Sequence, residues 1–325
     1  MPDQPQSLLA RILMGTITFI LLLVLFASLY FLYLNLPGPS QDLNININQP
    51  PKNNQPTQAK QFYPNMKFNH NIITYGVNQD CTQIQKQRIV SGFTEINKAV
   101  PIIKFQSSFS DLDIEVSCSE QQKENTENSG KKYFIAGEGG AKEIIQTGEH
   151  HIITEGIIYL FKENKKAIKC DYPNIEVHEI LHVLGFDHTD NKESIMFPFL
   201  TDCDQTLDQS IIQELNRLYS ENNLPELSFE NFTASKSGRY IDFNLTIRNS
   251  GSINSQPFTL TILDNEDVVE TREIDSINFG AGITLSTTNL KLKRKNPDTI
   301  QFILDRENKI KEINENNNIA EINLD

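Results

Sequence analysis

The sequence HEILHVLGFDH, residues 178–188, places three histidines, one glutamate and one glycine at fixed spacing. His178 and His182 lie four residues apart, so on a helix both side chains project from one face and can bind the same metal ion. Glu179 would lie beside that ion without needing to ligate it. The glycine three residues after His182 can end the helix in a left-handed conformation, which allows His188 to turn back as a third nitrogen ligand. Three protein ligands leave one tetrahedral position for water, which is typical of a catalytic zinc site.

This stretch resembles the long zinc signature HExxHxxGxxH of the metzincin metallopeptidases, which also carry a methionine turn beneath the zinc. The sequence SIMFP provides a candidate for that turn, with Met196 eight residues after His188 and Pro198 two residues after Met196. This spacing is similar to that of the matrixin branch (peptidase M10 type). The astacin branch is disfavoured, because it has a tyrosine where Pro198 stands and an extended motif where Thr189 and Asp190 stand.

The resemblance implies a metalloendopeptidase with one catalytic Zn²⁺, held by His178, His182 and His188. Zinc would lower the pKa of its bound water to about 7, and Glu179 would act as the general base. A structural zinc and calcium ions, which matrixins of the animal type carry, are not predicted, because GEGGAKEIIQTGEHH lacks the matching ligands. Residues 197–200 (FPFL) are expected to line an apolar specificity pocket on the primed side. The expected partners are protein or peptide substrates.

Length, net charge and cysteine content restrict the possible domain number, binding partners and cellular compartment. A chain of 325 residues favours two domains plus additional segments. A formal net charge of −13 argues against nucleic acid as a partner. Four cysteines fit two disulfides in an oxidising compartment, and the sequence alone allows three pairings. We prefer Cys81 with Cys118 and Cys170 with Cys203, because each bond would brace one half of the catalytic domain.

The amino-terminal residues 12–36 contain no charged side chain. The run is long enough to cross a hydrocarbon core of about 30 Å, and it exceeds the roughly 7–15 residues of a signal-peptide apolar region. It therefore predicts a transmembrane signal anchor, with a secreted soluble protease as the alternative if the leader is cleaved. Arg11 precedes the run and no Lys or Arg follows before Lys52, so residues 1–11 are expected in the cytoplasm and the catalytic domain outside the cell membrane. Residues 37–61, rich in Pro, Asn and Gln, are expected to form a disordered stalk.

Residues 62–222 are predicted to form the zinc metallopeptidase domain, an α+β fold with a twisted mixed sheet, the active-site helix and a C-terminal helix. The strands are predicted at 71–77, 102–106, 113–118 and 150–161, and the helices at 81–100, from 171 onward and at 206–219. Thr206 is the expected cap of the last helix. Residues 119–148 are polar and rich in glycine, which predicts loops. The resemblance implies that the strand at 150–161, or its neighbour, pairs with the peptide substrate.

In residues 223–325 the pattern changes, and apolar and polar residues alternate with a period of two. The sequence YIDFNLTIRN, for example, places Ile241, Phe243, Leu245 and Ile247 on one face. Similar patterns at 257–267 and 299–305 predict an all-β, immunoglobulin-like sandwich. The basic run KLKRK at 291–295 is interpreted as a solvated strand face.

The end of the chain is similar to the closing hairpin of CARDB domains, which are adhesion modules of bacterial and archaeal surface proteins. The matching residues are Asp305, Asn308, Ile310, Glu312, Asn314, Glu315, Asn317 and Asn318. The resemblance allows a surface ligand for the sandwich, and a plain spacer is the alternative. Asn231 and Asn244 begin N-x-T sequons and are candidate glycosylation sites.

These features predict a membrane-anchored, outward-facing zinc endopeptidase of the matrixin type, followed by a CARDB-like sandwich. The rival interpretation is a cell-surface adhesion protein whose metzincin domain is catalytically silent. The complete ligand set and Glu179 count against that rival. The combination of domains resembles prokaryotic, and in particular archaeal, surface proteins.

Overall fold

The computed structural model describes residues 8–47, 59–126, 132–162 and 168–324. Helix α1, Leu8–Asn35, is followed by two short strands, Ser40–Asp42 (β1) and Asn46–Ile47 (β2). The part of α1 from Arg11 to Asn35 has a mean hydropathy of 2.6, and none of it is buried. By length and composition this helix is compatible with a single-pass membrane anchor or with a signal sequence. Most of the tail predicted at 1–11 lies outside the described residues.

The first domain is built on a mixed sheet of six strands. The strands are Met66–Lys67 (β3), Ile72–Val77 (β4), Lys104–Ser107 (β5), Ile114–Cys118 (β6), Gly137–Thr147 (β9) and His150–Leu160 (β10). The order is β3-β10-β6-β4-β5 with parallel pairing, and β9 joins β10 as an antiparallel strand. A two-stranded hairpin of Lys123–Thr126 (β7) and Lys132–Ile135 (β8) precedes β9.

The loops predicted at 119–148 contain strands β7, β8 and β9, so that prediction was wrong. Strand β9 pairs with β10 from Thr147 opposite His150 to Gly137 opposite Leu160. Most of its side chains are exposed or half-buried. A strand with no fully buried face shows no alternation of apolar and polar residues. Glycine weakens a strand prediction further.

Three helices complete this domain: Gln83–Ala99 (α2), Asn174–Val183 (α3) and Gln209–Ser220 (α4). Helix α2 begins with a capping box in which Thr82 and Gln85 satisfy each other's backbone N–H groups. Its buried side chains, such as Phe93, share one core with Leu181 of α3 and Leu215 of α4. Helix α4 begins after Asp208 rather than at Thr206.

The cap predicted at Thr206 was therefore wrong, because Thr206 belongs to a different structure. Its main chain forms a bridge with Ser194, and its carbonyl oxygen accepts a hydrogen bond of 2.8 Å from the N–H of Ile195. The backbone of Thr206 is thus extended and supports the loop around the predicted methionine turn.

Both preferred disulfides are confirmed. Cys81–Cys118 joins the segment before α2 to the end of β6. Cys170–Cys203 joins the segment before α3 to the loop that follows Met196.

The second domain is a β-sandwich, as the period-two pattern predicts. Its strands are Leu227–Ser237 (β11), Tyr240–Asn249 (β12), Phe258–Asp264 (β13), Asp267–Ile274 (β14), Gly282–Lys291 (β15), Thr299–Leu304 (β16) and Ile319–Asn323 (β17). The two sheets have the orders β1-β11-β12-β15 and β14-β13-β16-β17-β2. The predicted face of Ile241, Phe243, Leu245 and Ile247 is buried in a core separate from that of the first domain.

The segment expected to be a disordered stalk differs from that expectation over residues 40–47. Strand β1 pairs antiparallel with β11, and β2 pairs antiparallel with β17, so this segment extends both sheets of the sandwich. Edge strands present unpaired N–H and C=O groups, which a polar segment can pair without an apolar core of its own. Residues 48–58 of the predicted stalk lie outside the described residues. Residues 59–61 also differ from the prediction, because Gln61 forms a bridge with Phe186 and Lys60 forms an ion pair with Asp187.

The sandwich contacts the first domain near the turn between β9 and β10. The Asn69 amide donates a hydrogen bond of 2.9 Å to the carbonyl oxygen of Ser252. A Cβ on Gly148 would lie 2.8 Å from the Ser250 carbonyl oxygen, and one on Gly280 would lie 2.5 Å from the Ile145 side chain. These close approaches, among the residues that the structure describes, join the two domains.

Candidate metal centre

The three histidines of the opening motif lie together. The Nε2 atoms of His178 and His182 are 2.9 Å apart, and each lies 3.1–3.2 Å from Nε2 of His188. Among the His, Cys, Asp and Glu side chains of the described residues, these three form the cluster whose ligand atoms lie close enough together to hold a metal ion. The i, i+4 spacing on α3 brings the first two rings to one face, as expected.

The outer nitrogens of the first two rings are held by main-chain carbonyls. His178 Nδ1 donates to the Ile195 oxygen at 2.6 Å, and His182 Nδ1 donates to the Phe186 oxygen at 2.7 Å. A carbonyl only accepts hydrogen bonds, so each Nδ1 carries the proton and each Nε2 keeps its lone pair. This arrangement orients imidazoles for binding a metal through Nε2.

Gly185 produces the turn that brings His188 back. It has a φ of +98°, and a Cβ there would lie 2.7 Å from Cγ of Met66. The turn follows directly on α3, because the N–H of Gly185 bonds to the His182 oxygen at 3.0 Å. A side chain at this position would be both strained and obstructed.

His188 is fixed by its neighbour in the chain and by the amino-terminal end of the domain. Its N–H donates to Asp187 Oδ1 at 2.7 Å, and Asp187 forms an ion pair of 2.8 Å with Lys60. Lys60 also donates to the His188 carbonyl oxygen at 3.2 Å.

Burial keeps these imidazoles neutral. It lowers the pKa of His178 to about 3 and the pKa of His182 to about 4, and it lowers the pKa of His188 as well. Neutral imidazole is the form that binds a metal, so the donor set fits a zinc ion at neutral pH.

Glu179 is almost completely buried, with 6% of its surface exposed. Burial raises the pKa of its carboxyl group to about 8, although the backbone N–H of Gly139 donates to it and opposes the shift. A nearby divalent cation would lower this pKa, because the ion stabilises the carboxylate. The strand β9 lies directly against the glutamate: a Cβ on Gly137 would lie 2.7 Å from Glu179 Cγ.

Met196 is buried, as the predicted methionine turn requires, with 1% of its surface exposed. Its carbonyl oxygen accepts a hydrogen bond of 3.0 Å from the N–H of Thr189, the residue after the third histidine. Sequence reasoning missed Gln205, which is buried and donates to the carbonyl oxygens of Lys192, Ser194 and Phe199. No sequence motif identifies a single glutamine of this kind, because its role depends on loops that meet only in the folded chain.

A cleft of about 790 Å³ opens beside the three histidines. Residues 197–200 line it, and their role in substrate specificity stays a prediction. The sequence did not predict the apolar side chains that line the cleft from other segments, which are Phe62, Phe134, Ile135 and Ile168. The cleft is large enough for a peptide side chain and lies next to Glu179.

The other candidates from the sequence lie away from this centre. Asn231 and Asn244 are exposed, and glycosylation at either stays a prediction. His150 contacts Glu221 at 3.0 Å, and His151 contacts the Pro64 oxygen at 2.9 Å, so both have protein partners.

Two family models match separate parts of this chain. The Matrixin family model matches residues 67–220, and the CARDB family model matches residues 225–322. Metalloendoproteinase 4-MMP of Arabidopsis thaliana is 30% identical over 105 residues, which are 32% of this chain. The match spans only 30% of the length of that relative.

Solved structures are also similar to part of this chain. The CARDB domain of a Pyrococcus furiosus protein is 18% identical, with a TM-score of 0.26, and the match covers 31% of this chain and 87% of that one. A domain of a Methanosarcina acetivorans protein is 22% identical, with a TM-score of 0.25, and the match covers 31% of this chain and 91% of that one. By its family matches, this chain carries a Matrixin (peptidase M10) domain at residues 67–220 followed by a CARDB domain at residues 225–322.

Proposed function

We propose that this chain is a membrane-anchored zinc endopeptidase that faces the outside of the cell and hydrolyses peptide bonds in proteins or peptides. The observation that carries the proposal is the convergence of three imidazole Nε2 atoms within 3.2 Å of one another. A buried carboxyl group and an apolar cleft lie beside them. The Matrixin match over the same residues supports a metallopeptidase.

His178, His182 and His188 would hold the zinc ion. When bound, zinc supplies a Lewis acid that polarises the substrate carbonyl and acidifies water. The carbonyls that hold the first two rings keep each Nε2 directed at the metal position.

Glu179 has the role of general base and then of general acid. Its carboxylate oxygen accepts a proton from the attacking water and passes that proton to the nitrogen of the leaving amine. The backbone N–H of Gly139 positions the carboxylate, and burial keeps bulk water away from it. A buried carboxyl group whose pKa burial raises suits proton transfer near neutral pH.

Strand β9 is the candidate surface for the main chain of a substrate. One edge of β9 pairs with β10, and the other edge pairs with no strand that the structure describes. An extended peptide can add to such an edge by main-chain hydrogen bonds. The cleft lined by residues 197–200 would then accept an apolar side chain on the primed side of the cleaved bond.

The apolar helix α1 supports anchoring, and the two disulfides support an oxidising compartment outside the cytoplasm. Arg11 at the amino-terminal end of the apolar run favours a cytoplasmic amino terminus.

The test is hydrolysis of a denatured protein and of a quenched peptide mixture by the full chain. We expect Glu179→Ala to lower the rate by a factor of about 10² to 10⁴, because a positioned general base contributes that much. Glu266→Ala, a change of the same kind on an exposed residue of the sandwich, should retain activity. A chelator should abolish the activity of the wild type, and zinc should restore it. A folded, zinc-loaded wild type that cleaves none of the peptides would contradict the proposal.

A further inference from the structure

One end of the sandwich carries a cluster of basic side chains, although the chain as a whole has a formal net charge of −13. We call this region the basic end surface, and it consists of Lys236, Arg239, Lys291, Lys293 and Lys295. The sequence predicts a solvated strand face for the run KLKRK. In the structure β15 ends at Lys291, and the following residues form a bend that is anchored by the buried Leu292.

The bend is fixed to the turn between β11 and β12. Arg239 Nε donates to the Leu292 oxygen at 2.7 Å, and its Nη2 donates to the Lys293 oxygen. Within this run, Arg294 forms ion pairs with Asp264 and Asp267, at distances of 3.3 and 2.7 Å. Lys291 and Lys293 are exposed and form no ion pair with any residue that the structure describes. Lys291 and Lys293 therefore present positive charge without an ion-pair partner among the described residues, at an end of the sandwich that also carries Asp264, Asp267 and Asp298.

The basic end surface lies where α1 ends. Lys295 Nζ donates to the Tyr33 carbonyl oxygen at 3.0 Å and lies 3.7 Å from the centroid of the Tyr33 ring. Tyr33 is in the last turn of α1, which ends at Asn35. Immediately afterwards, Ser237 donates to the Gly38 oxygen, and β1 begins its pairing with β11 at the same residue. The apolar helix thus passes directly into the sandwich at its basic end.

The catalytic domain lies at the opposite end of the sandwich. Strand β11 begins at Leu227, next to the segment that follows α4, and ends at Ser237 beside α1. Its 11 residues span about 35 Å at about 3.3 Å per residue. The sandwich therefore separates the end of α1 from the catalytic domain.

We propose that the basic end surface binds the anionic phospholipid head groups of the membrane that α1 crosses. The contact rests on the proposed membrane anchoring, and it gives the sandwich a function as an oriented spacer. Lysine and arginine side chains near an anionic membrane surface are attracted to it, whereas a neutral bilayer offers no such attraction. The aromatic ring of Tyr33 would also lie at the level of the lipid head groups, because tyrosines favour the membrane–water interface. The active site is then held away from the bilayer, with its cleft open to soluble substrates.

The test uses the full chain in phosphatidylcholine vesicles that contain a head-group-labelled quencher lipid, with or without phosphatidylglycerol. The chain contains no tryptophan, so a single tryptophan is a unique fluorescent reporter. Asn296→Trp places the reporter on an exposed residue next to Lys295. Phe109→Trp is the control reporter, on a fully exposed residue of the catalytic domain.

We expect phosphatidylglycerol to increase the quenching of the reporter at 296 and to leave the reporter at 109 unchanged. Lys293→Glu combined with Lys295→Glu should abolish the increase. Each lysine lost lowers the equilibrium constant for the contact about fivefold. Lys104→Glu combined with Lys311→Glu changes the net charge equally at exposed positions away from this surface, and it should keep the increase. High salt should weaken the contact, because salt screens exposed charges.

Equal quenching at position 296 in neutral and anionic vesicles, or an increase that survives the charge reversal, overturns the proposal. Flotation of the vesicles after an alkaline wash separates this failure from failure of the anchor. Protein that does not float refutes the anchor, on which the contact depends. Protein that floats but shows lipid-independent quenching refutes the contact alone. Unchanged peptidase activity of the reporter and charge variants establishes that they are folded.

Discussion

The main chain of Gly139 lies directly against the main chain of Glu179, so that a Cβ on Gly139 would fall 2.2 Å from the Glu179 carbonyl oxygen. The N–H of the same glycine donates to the Glu179 carboxylate. Strand β9 and helix α3 therefore approach to a distance that only glycine allows, and this approach aims the carboxyl group. The position of the proposed general base depends on the strand that we also propose as the substrate's partner.

Gly139→Ala should displace β9 from α3 and lower kcat/KM by roughly 10- to 100-fold, because misplacing a reacting group by about 1 Å can cost a factor of 100. Gly140→Ala is the matched control, since a Cβ at Gly140 meets nothing within 4 Å. Neither glycine has a positive φ, so alanine fits the backbone conformation of both. Peptide hydrolysis by the two variants is the measurement, and equal activities would contradict this account.

Zinc should stabilise the folded chain. A ligand that binds only the folded state adds about 4 kcal/mol to the free energy of unfolding when its concentration is 1,000 times its Kd. The Tm measured after chelation should therefore rise on addition of zinc. His188→Ala should lose most of this rise, because two imidazoles remain. His70→Ala should keep it, because His70 contacts Asp113 and lies outside the three-histidine group. A rise that is equal in both variants would place the metal elsewhere.

The two disulfides should differ in their effect on catalysis. Each closes a loop of similar length, with sequence separations of 37 and 33 residues, so removing either should cost about 2–4 kcal/mol of stability. Cys170–Cys203 joins two segments whose neighbours, Ile168 and Leu200, line the cleft. Replacing that pair by serine should also raise KM for peptides with an apolar primed-side residue. Replacing Cys81 and Cys118 should change only stability in urea unfolding, and a KM change of the same size there would refute the distinction.

Glu312 should make the sandwich less stable as pH rises. Burial raises the pKa of its carboxyl group to about 7, helped by the charges of Glu226 and Glu315 and opposed by hydrogen bonds from Leu227 and Asn318. An unfolded glutamate has a pKa of about 4.3, so between these two values the folded state binds more protons and the free energy of unfolding falls with rising pH.

Glu312→Gln removes this titration. The Tm of the variant relative to the wild type should therefore increase between pH 5 and pH 8. Thermal unfolding at both pH values is the measurement. A difference in Tm that does not change with pH would show that Glu312 titrates in the folded chain as it does in the unfolded one.

Much of the candidate site could be predicted because its signals are local. His178, Glu179 and His182 lie within five residues on one helix, and Gly185 marks the turn that brings His188 back to them. Strand β9 was missed for the opposite reason. Its pairing with β10 and its contact with α3 use main-chain atoms, which leave no pattern of apolar side chains.

The amino-acid sequence by itself determined the spacing of the three histidines, the apolar helix α1 and the period-two strands of the sandwich, because each depends on the geometry of one element. Of the three cysteine pairings that the sequence allowed, the folded chain selects one. Only the tertiary structure decided that β9 covers Glu179, that residues 40–47 extend both sheets of the sandwich, and that Lys295 lies against Tyr33. These contacts join residues that are distant along the chain, through backbone pairing and close packing that residue types do not specify.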